Sequence, residues 1–394
     1  MPRDALIAHY HEVGLKGRNR EFFEEALVRN LKRALRGTGY KRARNMFGRV
    51  LIEFQEGSPI EEATARAARV FGVAYVGSGR TVEPDMDAIT STASELIRRE
   101  SFESFSIRAR RSYSTFQASS HDINVHVGQY IKDETGARVD LSNPDVTVHI
   151  ELFGKTGIVF CRRVSGPGGL PVGVSGRLLA LISGGIDSPV AAWRMMRRGA
   201  EVELIHFHGQ PFTDPSSIRQ TLELAEVLTN YQLRCVVHLV PLADAQREIV
   251  ATAPAGLRVI LYRRAMWRIA ERLSAEVGAA GLVTGDSLGQ VASQTMENLT
   301  TVDAATPSMR ILRPLIGMDK QEIVDTARKI GTYEISTRKY QDCCVLFQPR
   351  TPATRSTVEQ ADRAEVELDT EALVGKALAG LETRELELSP VDND

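Results

Sequence analysis

Apolar and polar positions change period along the chain, and the changes divide it. Ala5–Tyr10 is a short apolar run that reads as a strand. Phe23, Leu27, Leu31 and Leu35 then recur every four residues, the core stripe of a helix, with Asn19 placed to cap it. Arg49–Phe54 reads as a second strand and Ile60–Val70 as a second helix, which completes a small α+β unit over 1–71. A second unit spans 72–165. In it Phe105–Arg111 alternates apolar with polar residues, as a half-exposed strand does, and His121–Ile131 has helical spacing through Ile123, Val127 and Ile131. Val146–Leu152 and Ile158–Val164 are strands joined by the hairpin Phe153–Gly157.

Residues 166–176 are dense in glycine and proline and read as a linker. Over 177–354 strand and helix alternate: Leu178–Ile182, a helix to Arg198, Glu201–Phe207, a helix over Ser216–Asn230, Arg234–Val240, a long helix Leu257–Val277 and Leu282–Thr284. Near-continuously apolar strands with helices between them predict an α/β domain built on a doubly wound parallel sheet. Residues 355–394 read as an acidic, partly helical tail.

Charge sharpens this division. The chain of 394 residues carries a net −1, but the segment from Arg355 onward carries −7, which leaves +6 for 1–354, of which +5 lies in the first 60 residues. That mild basicity is compatible with nucleic acid. Hydrophobic content of 43% and charged content of 25% are those of a water-soluble globular protein. No stretch approaches the roughly 18 apolar residues of a membrane span, and the N-terminus is unlike a signal peptide. Four cysteines, two of them adjacent, make no disulfide framework and point to a reducing cytoplasm.

The chemistry centres on Ser183-Gly184-Gly185-Ile186-Asp187-Ser188, set between a strand and an Ala-rich helix. Adjacent glycines let backbone N–H groups face inward, the new helix adds its positive end, and Ser183 and Ser188 offer hydroxyl donors: a phosphate-binding loop. It is not a Walker A loop, since no Gly-Lys-Ser/Thr follows and no lysine stands where it could reach a terminal phosphate. The hexapeptide resembles the SGGxDS loop of the ATP pyrophosphatases, which split ATP between its α and β phosphates. That resemblance implies ATP as cofactor and Asp187 as a group that helps hold Mg²⁺ on the phosphates.

Other candidates fall where strands of such a sheet end. Gly285-Asp286 closes a strand, and Gln294 beyond it offers both a donor and an acceptor. His206 and Phe207 could bond or stack on adenine, or be core residues. Arg263 and Arg264 compete for an inward position on the long helix. Cys161 and Cys235 look like small core residues. Cys343–Cys344 follow Asp342 among cations that favour thiolate, and the residues alone leave a reactive thiol and a buried pair equally open.

The first unit resembles a ferredoxin-like domain. The second, with its Arg-rich strand, Ser119–Ser120 and VDLSNPDVTVHIE over 139–151, resembles the RNA-binding THUMP domain. In one order, EVGLKGRNR, the THUMP-like unit, LISGGIDSPVA, IHFHGQPFT, TGDSLGQVASQT, ILRPLIGMDKQEIVDTARKIGTYEIS and QDCCVLF resemble the tRNA 4-thiouridine synthetase family, tRNA sulfurtransferases also tied to thiamine biosynthesis. The resemblance covers about residues 1–355. It implies ATP contacts at Leu181, Ile182, His206, Phe207, Arg263, Gly285 and Gln294, beside Ser183, Gly184, Gly185 and Ser188 of the loop. It also implies Cys344 as the catalytic cysteine and tRNA as partner, held through Lys16, Arg18, Arg108, Arg110 and Arg111. The implied product is 4-thiouridine at position 8, and no prosthetic group is implied. Many members add a rhodanese domain whose cysteine carries the persulfide. This chain ends differently, which implies a cysteine desulfurase as sulfur donor to Cys344. Alternatives are sulfur transfer to a small sulfur-carrier protein for thiamine synthesis, or an RNA-binding protein without catalysis. A homodimer stays open.

Overall fold

A strand that the hydrophobic pattern does not announce organises the first of two compact units. The computed structural model describes residues 3–112, 116–338 and 353–391. It divides into Met1–Pro171 with Ser389–Asp394, and Val172–Leu388. The first unit carries β1 (Asp4–His9), β2 (Tyr40–Asn45), β3 (Arg49–Phe54), β4 (Tyr75–Val82), β5 (Ser104–Ser112), β6 (Arg138–Val139), β7 (Val146–Phe153) and β8 (Thr156–Ser165). Their order is β2-β3-β1-β4-β8-β7-β5-β6. The unannounced strand is β4, YVGSGRTV, antiparallel to β1 on one side and β8 on the other. It joins both N-terminal patterns into one sheet. Glycine is required at this seam: a Cβ at Gly79 would lie 1.9 Å from the Val159 carbonyl oxygen, and one at Gly77 would lie 2.7 Å from the Phe160 ring.

Helices Met86–Ile97 and Ser120–Thr135 cover one face of the sheet over Phe105, Ile107, Val148, Ile150 and Leu152. Toward the other face the sheet curls. Arg49 of β3 pairs with Glu151 of β7 and donates to the Ser112 hydroxyl of β5 at 3.3 Å, although four and five strand positions separate them. His9 Nε2 of β1 lies 3.0 Å from the same carboxylate, which is 1% exposed. Burial raises the carboxyl pKa of Glu151, but His9 and Arg49 outweigh burial and keep it below its ordinary value. Asn19 stands at the N-cap of helix Arg20–Ala34, yet its side chain makes no capping bond.

The second unit holds β9 (Arg177–Leu181), β10 (Glu201–His208), β11 (Arg234–Pro241), β12 (Leu282–Val283), β13 (Ile311–Leu312) and β14 (Glu382–Glu387), ordered β13-β12-β9-β10-β11-β14. Five strands are parallel, and β14 adds antiparallel to β11. From β9 the chain winds to β10 and β11, then returns to β12 and β13 on the other side. That reversal is a topological switch point, where doubly wound sheets bind ligands at their carboxyl ends.

Up to Leu388, the segment read as an acidic tail instead folds into this unit. Helices Val358–Glu365 and Thr370–Ala379 bury Ala361, Leu373, Val374 and Ala377 in the same core as Ile260, Leu261, Trp267 and Ile269 of the long helix Arg258–Val277. Its acidic residues meet that helix's arginines. Glu365 accepts bonds from Arg264 at 2.9 and 3.0 Å and from Arg268 at 2.7 and 2.8 Å. Composition alone could not show this pairing. No helix among the described residues is long and apolar enough to cross a membrane.

Arg264 is 2% exposed, so loss of its partner leaves a buried charge poorly compensated. Glu365→Gln should lower unfolding free energy by about 3 kcal/mol at pH 7, measured by denaturant titration. The arginines hold the Glu365 pKa down against burial. Its contribution is therefore full above the unfolded carboxyl pKa of about 4.3 and lost as pH falls through the lower folded value, so wild type and variant should converge in acid.

Candidate functional site

At the carboxyl end of β9 the chain turns through 183–186 into helix Asp187–Arg197. Its two serines also hydrogen-bond within the loop. The Ser188 hydroxyl accepts the Ser183 N–H at 2.9 Å and returns a bond to the Ser183 carbonyl at 3.3 Å, while the Ser183 hydroxyl accepts the Gly185 N–H at 3.2 Å. They brace the loop from within. Gln220 Nε2 donates to the Gly184 carbonyl at 2.9 Å, and the Ser336 hydroxyl donates to that of Gly185 at 3.3 Å. Gly285 packs against this turn: a Cβ there would lie 2.8 Å from the Ser188 nitrogen and 3.0 Å from the Asp187 carbonyl carbon. Glycine at the end of β12 lets two backbones meet.

Asp187, the first helical residue, is held by two distant groups. Lys320 Nζ lies 2.5 Å from one carboxylate oxygen, and Gln290 Nε2 donates to the other at 2.9 Å. A lysine thus does stand at the loop, supplied by the first residue of helix Lys320–Ile330. The sequence carried one signal for it. The helix after β13 starts at the carboxyl end of the parallel sheet, beside the switch point, and its Asp319–Glu322 capping box marks that start.

A cavity of about 290 Å³ opens here. Its wall brings together Leu181, Ile182, Ser183, Gly185, Asp187, Ser188, His206, Phe207, Arg263, Gly285 and Gln294. Met266 and Trp267 supply further apolar surface. Gly184 is buried and is not part of the wall. His206 is 2% exposed, with Nδ1 3.0 Å from the Ile182 carbonyl oxygen and Nε2 3.3 Å from the Ser217 hydroxyl. Its nitrogens serve the protein. The competition between adjacent arginines is resolved by helical rotation: Arg264 turns to Glu365, while Arg263 faces the cavity. Arg263 bonds both oxygens of Asp286 at 2.8 and 2.9 Å and the Ser293 carbonyl at 2.9 Å. Burial would raise the pKa of Asp286, but the charge of Arg263, a bond from Thr284 and the charge of Arg313 hold it below the ordinary carboxylate range.

In the first unit the basic candidates separate. Lys16 pairs with Glu12 at 3.3 Å and lies 5.2 Å over the Phe23 ring. Arg18 is exposed and lines a groove of about 980 Å³ with Arg29, Lys32, Arg33 and Arg36. Arg29, Lys32 and Arg33 share one face of helix Arg20–Ala34 by their i, i+3, i+4 spacing, and Arg36 follows two residues beyond its end. Among the described residues none of these five cations has a carboxylate within ion-pair distance. Arg108 and Arg110 are exposed on β5, in register with His149 and Glu151. Burial, with Arg163, Arg108 and Arg110, pushes the His149 pKa down to about 3. Arg111 falls on the opposite face and donates to the Phe116 carbonyl. Burial raises Cys161 and Cys235 to about 12, which keeps both as thiols. Cys343 and Cys344 lie outside the described residues.

Family models match in the same order as these parts: the ThiI ferredoxin-like domain over residues 5–77, the THUMP domain over 83–161, and Thiamine biosynthesis protein (ThiI) over 173–370. The chain belongs to the ThiI family. It is 40% identical to the "Probable tRNA sulfurtransferase" of Caldanaerobacter subterraneus subsp. tengcongensis over 94% of this chain and 97% of that protein. It is 43% identical to the protein of the same name from Thermus thermophilus, over 95% and 91% of the two chains. A solved structure described as a 4-thiouridine synthetase–RNA complex with bound ATP is similar at TM-score 0.89 and 35% identity, covering 98% of this chain and 100% of that one.

In this ThiI-family chain a methyl group at Gly285 must displace the start of helix Asp187–Arg197. Gly285→Ala should weaken binding of a fluorescent ATP analogue at least tenfold. Lys320→Ala should weaken it as well, without the loss of thermal stability expected of the Gly285 variant.

Proposed function

We propose that this chain is an ATP-dependent tRNA sulfurtransferase that converts a uridine to 4-thiouridine. The observation that carries the reading is the joint presence, in a ThiI-family chain matched end to end by a 4-thiouridine synthetase, of the braced loop and its cavity. Uridine O4 attacks the α phosphorus of ATP, the bond to the bridging oxygen breaks, and pyrophosphate leaves. Backbone N–H groups at the loop and the start of the helix stabilise its charge, with Lys320 beside them. Activation is needed because a carbonyl oxygen leaves poorly and AMP leaves well.

Asp187 is a single carboxylate, and no group of three or more acidic, histidine or cysteine residues that could hold a metal occurs among the described residues. This suits Mg²⁺ carried mainly on ATP phosphates and touched by one carboxylate. When bound, the ion supplies charge neutralisation on the phosphates. Cys344 carries the sulfur as a persulfide delivered by a cysteine desulfurase. The terminal sulfur bonds to C4 as the C4–O bond breaks and AMP departs. A thiol then attacks Sγ of Cys344, releasing 4-thiouridine and leaving a disulfide. The alternative acceptor, a sulfur-carrier protein in thiamine synthesis, uses the same activation; the RNA-binding modules favour tRNA.

Protein, tRNA, ATP and a persulfide donor should together yield the absorbance of the thiolated base. Cys344→Ser should abolish it while tRNA-dependent pyrophosphate release persists, and full turnover by this variant would remove Cys344 from the role. Arg29→Ala, Arg33→Ala and Arg36→Ala together should raise the KM for tRNA and flatten the salt dependence of binding, by about 0.9 in log–log slope per lost phosphate contact.

A further inference from the structure

One buried side chain joins the phosphate loop to the helix from which the chain runs on toward Cys344. Helix Ser216–Gln232 turns Ser217, Gln220 and Thr221 inward by their i, i+3, i+4 spacing, and all three are buried. The Ser217 and Thr221 hydroxyls lie 3.3 Å from Nε2 and Nδ1 of His206. Gln220, 5% exposed, instead donates from one NH₂ group to two separate backbones. One bond runs to the Gly184 carbonyl of the loop, the other to the Ile335 carbonyl of helix Tyr333–Ser336, each at 2.9 Å. The next residue, Ser336, repeats the tie through its bond to the Gly185 carbonyl. An amide NH₂ has two hydrogens, and here one serves the loop and the other the helix.

A carbonyl removed from water is costly without a donor, and one turned toward a phosphate repels it. Gln220 keeps the Gly184 oxygen on a protein donor and, with the same group, fixes where helix Tyr333–Ser336 stands against the loop. Glu223 of the same helix pairs with Arg338, but that pair is exposed and adds little. Cys344 follows in the stretch of chain that this helix begins. We infer that Gln220 is a positioning residue that couples the two halves of the reaction. It places the chain leading to the sulfur carrier against the very loop that takes the departing pyrophosphate. The inference rests on the sulfurtransferase reading above.

A single turnover of the full chain with tRNA, a persulfide donor and ATP labelled at its α phosphorus separates the two steps. Pyrophosphate release reports activation, and 4-thiouridine reports transfer. Gln220→Met keeps the length of the side chain and removes both donors. Its yield of 4-thiouridine per pyrophosphate should fall about 5- to 20-fold below that of wild type, the factor expected for losing a positioning hydrogen bond. The label should then remain on tRNA or appear as AMP without thiolation. Ser336→Ala should lower the same ratio to a smaller degree. Gln232→Met is the comparison for a merely structural role. Gln232 is buried on the same helix, but it donates to the Val202 and Arg234 carbonyls, at 2.9 and 2.8 Å. Its loss should lower thermal stability and leave the ratio at the wild-type value. Equal loss of pyrophosphate release and 4-thiouridine in Gln220→Met, or an unchanged ratio, overturns the inference. Should Gln220→Met fail to fold, the ratio in Ser336→Ala decides. Absence of tRNA-dependent pyrophosphate release in wild type would defeat the sulfurtransferase reading itself, a different result from loss of coupling.

Discussion

Side chains rotate by about 100° per residue around an α-helix, and this constraint on helix Arg258–Val277 underlies much of the second unit. Arg263 and Arg264 are neighbours in sequence, yet one closes the cavity wall through Asp286 and the other anchors the C-terminal helices through Glu365. Both cations are largely removed from water, so each needs a fixed anion. Arg313 and Asp303 extend the first pair, Arg268 and Asp362 the second. The same helix buries Leu261, Trp267 and Ile269 under β9, β10 and β12. One rigid element therefore links catalytic geometry to the segment farthest along the chain.

The first unit shows the complementary solution. Its curl brings Arg49, His9 and Glu151 together and encloses their charge, with the His9 ring stacked 4.4 Å from that of Tyr75 and the Arg163 guanidinium 4.6 Å over the same ring. Buried cations are thus consumed in structure. What stays available to a polyanion is the exposed set, Arg18 with the Arg29–Arg36 stripe, and Arg108 with Arg110. A phosphate backbone needs cations that no carboxylate already holds, and that requirement, more than basic composition, separates these arginines from the paired ones.

Legibility in the sequence followed local pattern. The strands that became β9, β10 and β11 were readable because burial on both faces leaves near-continuous apolar runs. The loop was readable because its glycines and serines are contiguous. By contrast β4 was not, since Gly77 and Gly79 dilute its hydrophobicity for a reason visible only when Val159 and Phe160 lie against them. The C-terminal segment misled because its acidic residues look solvated until Arg264, Arg268 and Arg272 face them. Lys320 could not be found from the loop, because 133 positions separate it from Asp187. The serines carry a role their type did not announce: in the cavity wall, their hydroxyls also brace the loop from within.

These corrections redistribute recognition within the cavity. With the Ser188 hydroxyl engaged within the loop, the donors set around the turn are mainly its backbone N–H groups and the lysine on Asp187, none of which is suited to reading a base. The His206 nitrogens are likewise occupied. The loop can accordingly be shared by enzymes with very different acceptors: it handles only the part of ATP that departs.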